Sequence, residues 1–163
     1  MSTSRNNKGE MALFIIIEGN EGSGKSTLAA WFAKMLKVEV THRSKPNTEE
    51  ERQEMYNSYK HDIETIDKAV WDRCFYSEMV YGPIMRDQSY INHEQMLEYE
   101  GMLAKKGAII IYCSSDPQIA YRRAIKRGES YITDFETYEK ISKAYNDLFR
   151  AHSHKIPVVE FSF

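Results

Sequence analysis

The stretch FIIIEGNEGSGKST, residues 14–27, sets an apolar run directly against a glycine-rich turn that ends in lysine and two hydroxyl residues. Within it, Gly19 to Ser26 matches G-x-x-x-x-G-K-[ST] at every fixed position. The apolar run 12–17 (ALFIII) has strand length and no polar interruption, as a parallel strand covered on both faces requires. Beyond the turn, Leu28, Phe32, Met35 and Leu36 recur at close to helical period, which predicts a helix over 26–36. Strand, glycine turn and helix together form a phosphate cradle. The glycines free backbone N–H groups to face an anion, and the helix start aims its positive dipole end at the same place. The expected donor contacts are Asn20, Glu21, Gly22, Ser23, Gly24, Lys25, Ser26 and Thr27. Lys25 places a point charge on the outer phosphates and Ser26 offers a hydroxyl to magnesium.

Outward from the cradle, strands and helices alternate. Val38 to Thr41 reads as a second strand and Ala69 to Trp71 as a brief third. Thr48 with Glu51 offers a capping box for a helix running to about Ile66. Helical stretches at about 76–86 and 92–105 lead to a Gly107 stop and a fourth strand, 108–113 (AIIIYC). Helix follows from Asp116 to Arg127 and, after a polar connection at 128–133, from Phe135 to Phe149. A strand at 157–161 closes the chain. The fold class expected is α/β: a three-layer α/β/α sandwich on a mainly parallel five-stranded sheet, of the P-loop NTPase type, with ligands at the carboxyl ends of the strands. Residues 1–10 read as a flexible leader and 11–163 as one domain with a lid at about 123–133.

The whole chain has 163 residues, 42% hydrophobic and 28% charged, which suits one soluble globular core. A net charge of -2 argues against a dedicated nucleic-acid binder. No segment has the length of a membrane span and the first ten residues lack a secretory apolar stretch, so a cytoplasmic location and no membrane partner are expected. Cys74 and Cys113 stand alone, and the His152/His154 pair has no acidic or cysteine neighbour, so no structural metal is expected.

Elementary chemistry selects further residues. An acid beside an arginine at a strand end can position magnesium or the acceptor and neutralise a migrating phosphoryl group, which assigns Asp72 to magnesium and Arg73 to phosphate. Arg123 and Arg127 lie four apart on one helical face. Arg123 suits stacking on adenine and Arg127 suits phosphate contact. Tyr56, Tyr59, Trp71, Tyr76 and Tyr81 supply aromatic surface for a base, although aromatic residues on helices more often belong to the core.

These words resemble the thymidylate kinase and deoxynucleoside kinase superfamily. The opening at 14–27 is similar to both branches. DRCFYSEMVYG at 72–82 resembles the Asp-Arg word of thymidylate kinases, and DPQIAYRRAIKRG at 116–128, with Asp134 to Glu136, resembles their passage from the fourth strand into the lid. The resemblance implies that Arg43, in HRSKP, grips an acceptor phosphate and that Tyr76 and Tyr81 help hold the acceptor. It also implies that Glu18 acts as a base toward a sugar hydroxyl if the deoxynucleoside branch applies, whereas Glu21 contacts the acceptor 3′-hydroxyl if the thymidylate branch applies. The glutamine that thymidylate kinases show after Ala-Tyr is absent, since Tyr81 is followed by Gly82 and Pro83.

The reading expected is magnesium-dependent transfer from ATP to a deoxynucleoside monophosphate, dTMP-like or broader. Lys25, Asp72, Arg73 and Arg127 would be catalytic, and Ser26 and Asp72 would hold the metal. A small-molecule nucleotide is the partner, and a homodimer is left open. The rival readings are a deoxynucleoside kinase acting on a 5′-hydroxyl and a nucleotide-hydrolysing switch, the latter unsupported by any guanine-reading N-K-x-D word.

Overall fold

The computed structural model describes residues 4–5, 11–42, 46, 48–128, 132 and 134–162. The strands are β1 (Ser4–Arg5), β2 (Met11–Glu18), β3 (Val40–His42), β4 (Lys68–Asp72), β5 (Ile109–Ser114) and β6 (Val158–Ser162). The helices are α1 (Lys25–Leu36), α2 (Glu49–Gln53), α3 (Met55–Thr65), α4 (Phe75–Arg86), α5 (His93–Ala104), α6 (Pro117–Arg127) and α7 (Phe135–Asn146), the last running into a π-helical turn, Asp147–Ala151. Five strands pair in parallel in the order β3-β4-β2-β5-β6. β1 pairs antiparallel with β2, Ser4 opposite Ala12, so the stretch expected to be a flexible leader contains one short paired strand.

The unbroken apolar run in β2 is explained by where alternate residues point. Phe14 and Ile16 enter one core with Trp71, Ile110 and Tyr112, under α3, α4, α5 and α7. Ile15 and Ile17 enter the other with Val70, Ile109, Ile111, Ala29 and Ala33, under α1. Both faces are covered, and Phe14 meets Trp71 edge to face with ring centroids 5.1 Å apart. This is the α/β/α sandwich.

β2 and β5 are neighbours, and the crossover from β2 runs to β3 at one edge while that from β5 runs to β6 at the other. The crevice that opens at the carboxyl end of β2 is the ligand position of such sheets. The cradle begins there, at Gly19.

Two segments depart from the expected pattern. The single helix from Thr48 to about Ile66 is two helices that meet at Glu54, which stays right-handed but at ψ −6 is opened from the usual helical turn. Thr48 caps the first as expected, accepting from the Glu51 N–H at 3.0 Å, but no residue of α2 is buried. Restarting at Met55 turns Met55, Tyr59 and Ile63 inward at four-residue spacing. At the other end, the helix from Phe135 widens into the π turn where Leu148 and Phe149 enter the core.

That π turn is held by a buried polar cluster. His154 and Glu100 are both almost wholly shielded, and Tyr76 donates its hydroxyl to Glu100 Oε2. The imidazole faces an acceptor at each nitrogen: Glu100 Oε2 lies 2.7 Å from Nδ1 and the Leu148 carbonyl 2.7 Å from Nε2. An imidazolium would donate from both nitrogens, one to each acceptor. Burial would lower its pKa, but the hydrogen bonds to Glu100 and Leu148 outweigh it and hold the pKa above the ordinary histidine value. A raised folded pKa contributes stability that is complete below the unfolded value of about 6.5 and is lost as pH rises through the folded value. Urea midpoints of the intact chain are expected to fall as pH rises above about 6.5, and a His154→Gln variant to lose that component of the slope.

Candidate functional site

The loop after β2 is shaped by glycine at positions where a side chain cannot stand. Gly22 has φ 74, and a Cβ there would collide with the backbone carbonyl of Ala120 in α6. Gly24 has φ 90 and caps α1 without a side chain, so the helix N-terminus stays open toward the cleft.

Asn20 anchors the loop rather than facing the cleft. Its Nδ2 donates to the Tyr138 carbonyl at 3.0 Å and to Ser142 Oγ at 2.9 Å. Its Oδ1 accepts from the Glu21 N–H at 2.8 Å and from Tyr81 at 3.2 Å. Tyr138 also donates its hydroxyl to the Glu21 carbonyl. The loop is thus moored to α7 and α4 before any ligand arrives.

One cleft of about 400 Å³ opens over this loop, a volume suited to a small ligand. Its floor is Glu21, Gly22, Gly24, Lys25, Ser26, Asp72 and Arg73. Lys25 Nζ lies 4.0 Å from Asp72 Oδ1, and Ser26 Oγ lies 3.5 Å from Asp72 Oδ2. A hydroxyl and one carboxylate form a sparse hard-oxygen set. It fits magnesium, which keeps several waters and takes phosphate oxygens. Among the described residues no group of three or more His, Cys, Asp and Glu forms a cage.

Electrostatics in the floor follow from burial. Desolvation, reinforced by the positive charge of Arg73, lowers the Lys25 pKa to about 8 against the opposing pull of Asp72. Arg73 itself sits at φ 70, a left-handed conformation that a bulky residue seldom adopts. Its N–H donates to the Ile17 carbonyl at 2.9 Å, and its guanidinium stacks on Tyr81, 5.2 Å from the ring centroid.

Glu18 is placed differently from the expected substrate contact. It is fully buried beneath the floor and does not line the cleft. Oε1 accepts from the Cys74 N–H at 2.8 Å, and Oε2 accepts from Ser77 at 2.8 Å and from Tyr145 at 3.1 Å. Burial raises its pKa, while these hydrogen bonds and Arg73 pull it back only in part. Glu21 does line the cleft, and its Oε2 is buried with no hydrogen-bond partner among the described residues.

The remaining expected contacts divide. Tyr81 and Arg127 line the cleft. Tyr76 does not: cleft-facing Cys74, Ser77, Glu78, Tyr81 and Met85 recur every three or four residues along α4, and Tyr76 points from the opposite side into the core. Arg123 is exposed and outside the cleft, because the cleft-facing line of α6 is Ala124 and Arg127. Ser23 is buried with its hydroxyl unpartnered among the described residues, and Thr27 is exposed away from the cleft lining. Arg43 lies outside the described residues, as do 129–131 and 133 of the expected lid; His42 and Pro46 beside Arg43 do line the cleft. Ser77, Glu78, Met85 and Arg86 were not selected from sequence, although their helical spacing from Asp72-Arg73 carried the signal. No helix among the described residues is long and apolar enough to cross a membrane.

Comparison with known proteins agrees with this geometry. The thymidylate kinase family model matches residues 48–162, a segment that begins beyond the phosphate loop and so identifies the chain independently of it. The SPbeta prophage-derived uncharacterized protein YorR of Bacillus subtilis (strain 168) is 30% identical over 118 residues, 72% of this chain and 71% of that protein. The crystal structure of YorR in complex with phosphorylated GDP aligns with a TM-score of 0.73 at 24% identity, over 92% of this chain and 84% of that one. Deoxyadenosine kinase from M. mycoides with bound dATP aligns with a TM-score of 0.63 at 19% identity, over 91% of this chain and 90% of that one. The chain belongs to the thymidylate kinase family and is a phosphotransferase of the P-loop kinase fold.

The mooring of the loop makes a testable demand. Asn20→Ala leaves the Tyr138 carbonyl and the Glu21 N–H without their partner, at a cost of about 1–3 kcal/mol for buried groups so stranded. Urea denaturation is expected to show that loss, and calorimetry a weakened affinity for ATP.

Proposed function

We propose that this kinase transfers the γ-phosphoryl group of ATP to a deoxynucleoside monophosphate, giving the diphosphate. The observation that carries the reading is one cleft in which the triphosphate loop shares its floor with Arg73, Asp72 and an unpaired Glu21, under an apolar wall of Met55 and Tyr59. A hydrolase needs only the loop; a second compartment is what an acceptor needs. Glu18, fully buried and already accepting three hydrogen bonds, favours an acceptor that arrives ionised and requires no base.

In this reading the loop N–H groups and Lys25 hold the donor phosphates, and Arg73 bridges donor and acceptor as charge shifts between them. Magnesium held by Ser26 and Asp72 supplies charge neutralisation on the phosphates. Arg127, which lines the cleft from α6, closes on the transferred group. Glu21 accepts from the acceptor sugar hydroxyl, which satisfies its unpaired oxygen. Arg43 grips the acceptor phosphate. Arg123, standing outside, serves only a donor adenine laid along α6.

One observation favours a second reading, transfer to a 5′-hydroxyl. Burial raises the pKa of Glu18, as a general base requires, and only Ser77 and Tyr145 would need to release it. Supplying ATP and magnesium with matched panels of monophosphates and nucleosides separates the two: diphosphate products support the first, and monophosphate products from nucleosides alone replace it with the second.

Lys25 yields two further expectations. Lys25→Ala is expected to lower turnover by about a hundredfold or more while circular dichroism stays native, since backbone shapes the loop. In the unmodified enzyme, kcat/KM for ATP is expected to decline as pH rises through about 8, where free Lys25 loses its charge. A flat profile to about pH 9.5 would remove Lys25 from donor binding.

A further inference from the structure

The acceptor end of the cleft holds a charged pair that phosphate chemistry does not use. α4 runs along the cleft, and its cleft-facing residues pass from Cys74 and Ser77 beside the phosphate floor to Met85 and Arg86 at the far end. At 1.5 Å per residue, Arg86 stands roughly 16 Å along the helix from Phe75. There Arg86 donates through one terminal nitrogen to both carboxylate oxygens of Glu78, to Oε2 at 2.6 Å.

Three features distinguish this pair from a surface ion pair. Glu78 is shielded, with its side chain 7% exposed. The Arg86 Nε is buried and has no hydrogen-bond partner among the described residues. The pair also has a dedicated seat: a Cβ at Gly82 would collide with Glu78 Oε2 and approach the Gln88 carbonyl to 2.7 Å. On its outer side, Arg86 is backed by Tyr90, 5.7 Å from the ring centroid, and Tyr90 donates to Glu49 of α2 at 2.8 Å. Met55, Tyr59 and Met85 give the same cleft an apolar lining.

Resting on the reading that this cleft takes a nucleotide acceptor, we propose that Glu78 and Arg86 read its base, selecting guanine and rejecting thymine. A carboxylate carries about four lone-pair sites, of which Arg86 engages two. Guanine presents two adjacent donors, the ring N1–H and the 2-amino group, which match the two oxygens of Glu78. Its O6 acceptor lies beside them, where Arg86 has a donor to spare. Thymine presents a single N–H flanked by two carbonyl oxygens, which would face the carboxylate across a desolvated contact. Cytosine and adenine each bring one amino donor and rank between the two.

The full-length chain, Glu78→Gln and Arg86→Gln are assayed with ATP and magnesium against dGMP, dIMP, dAMP, dCMP and dTMP, and against the corresponding nucleosides. The unmodified enzyme is expected to favour dGMP over dTMP, and over dIMP, which lacks the 2-amino donor, by about 5- to 150-fold. Glu78→Gln is expected to narrow both gaps while circular dichroism stays native. A base ranking that is unchanged in both variants, or an equal loss for every base, overturns the proposal and leaves the pair a structural brace. If neither variant folds, the unmodified ranking decides, and a preference for dTMP overturns it. Turnover of nucleosides alone would refute the monophosphate reading, yet the ranking within the nucleosides still tests the pair. If nothing turns over, the same ranking is read from calorimetric affinities of the monophosphates.

Discussion

A carboxylate removed from water at the end of a central strand requires a donor at each oxygen, and the way Glu18 obtains them sets the geometry of the whole cleft. Its three donors come from the residue after Arg73, from the first turn of α4 and from α7. The Cys74 N–H can reach Oε1 only if the chain turns sharply after β4, and Arg73 takes that turn at φ 70. The cost of a left-handed arginine, of order 1–3 kcal/mol, is carried by the buried carboxylate it helps to satisfy. With the turn made, the guanidinium lies over the phosphate floor against Tyr81. Tyr81 in turn donates to Asn20, which moors the loop. Position and charge in the cleft therefore trace to one desolvated group that does not touch it.

This arrangement divides what could be read from sequence from what could not. The strand, cradle and helix were legible because each is local: ALFIII needs two covered faces, and glycines at 22 and 24 need left-handed backbone. The Asp72-Arg73 site was legible from its place after a strand. The split at Glu54 was not, because the run from Thr48 is polar throughout and only the burial of Met55, Tyr59 and Ile63 shows where the axis must be re-aimed. The π turn at Asp147–Ala151 was equally hidden, since it answers to a long-range contact between His154 and Glu100.

Tyr76 and Glu78 show the same limit at the site. Both follow Arg73 in a helical word, and an aromatic residue attracts attention as a base platform. Helical phase decides otherwise. Counting from Cys74, the positions that face the cleft are 77, 78, 81, 85 and 86, so Tyr76 points into the core, where its hydroxyl finds Glu100. Glu18 stands outside the cleft for a different reason. As a residue flanking the loop it looks available to substrate, and the convergence of α4 and α7 above it buries its carboxylate among three donors.

The cleft floor also explains why such a site favours an anion before any specific contact is counted. Lys25 and Arg73 share a desolvated space, and Arg73 is second only to burial in lowering the Lys25 pKa. Asp72 offsets part of that repulsion and also accepts from the Ser26 hydroxyl at 3.5 Å. Burial and the Arg73 charge disfavour the cationic form of Lys25 in the empty cleft, and a phosphate anion beside it would favour that form again. The open N–H groups at the start of α1 add to the attraction an anion would meet at Lys25. The far end of the cleft, where Glu78 and Arg86 neutralise each other, contributes no net attraction. Affinity and discrimination are thereby assigned to opposite ends of one helix.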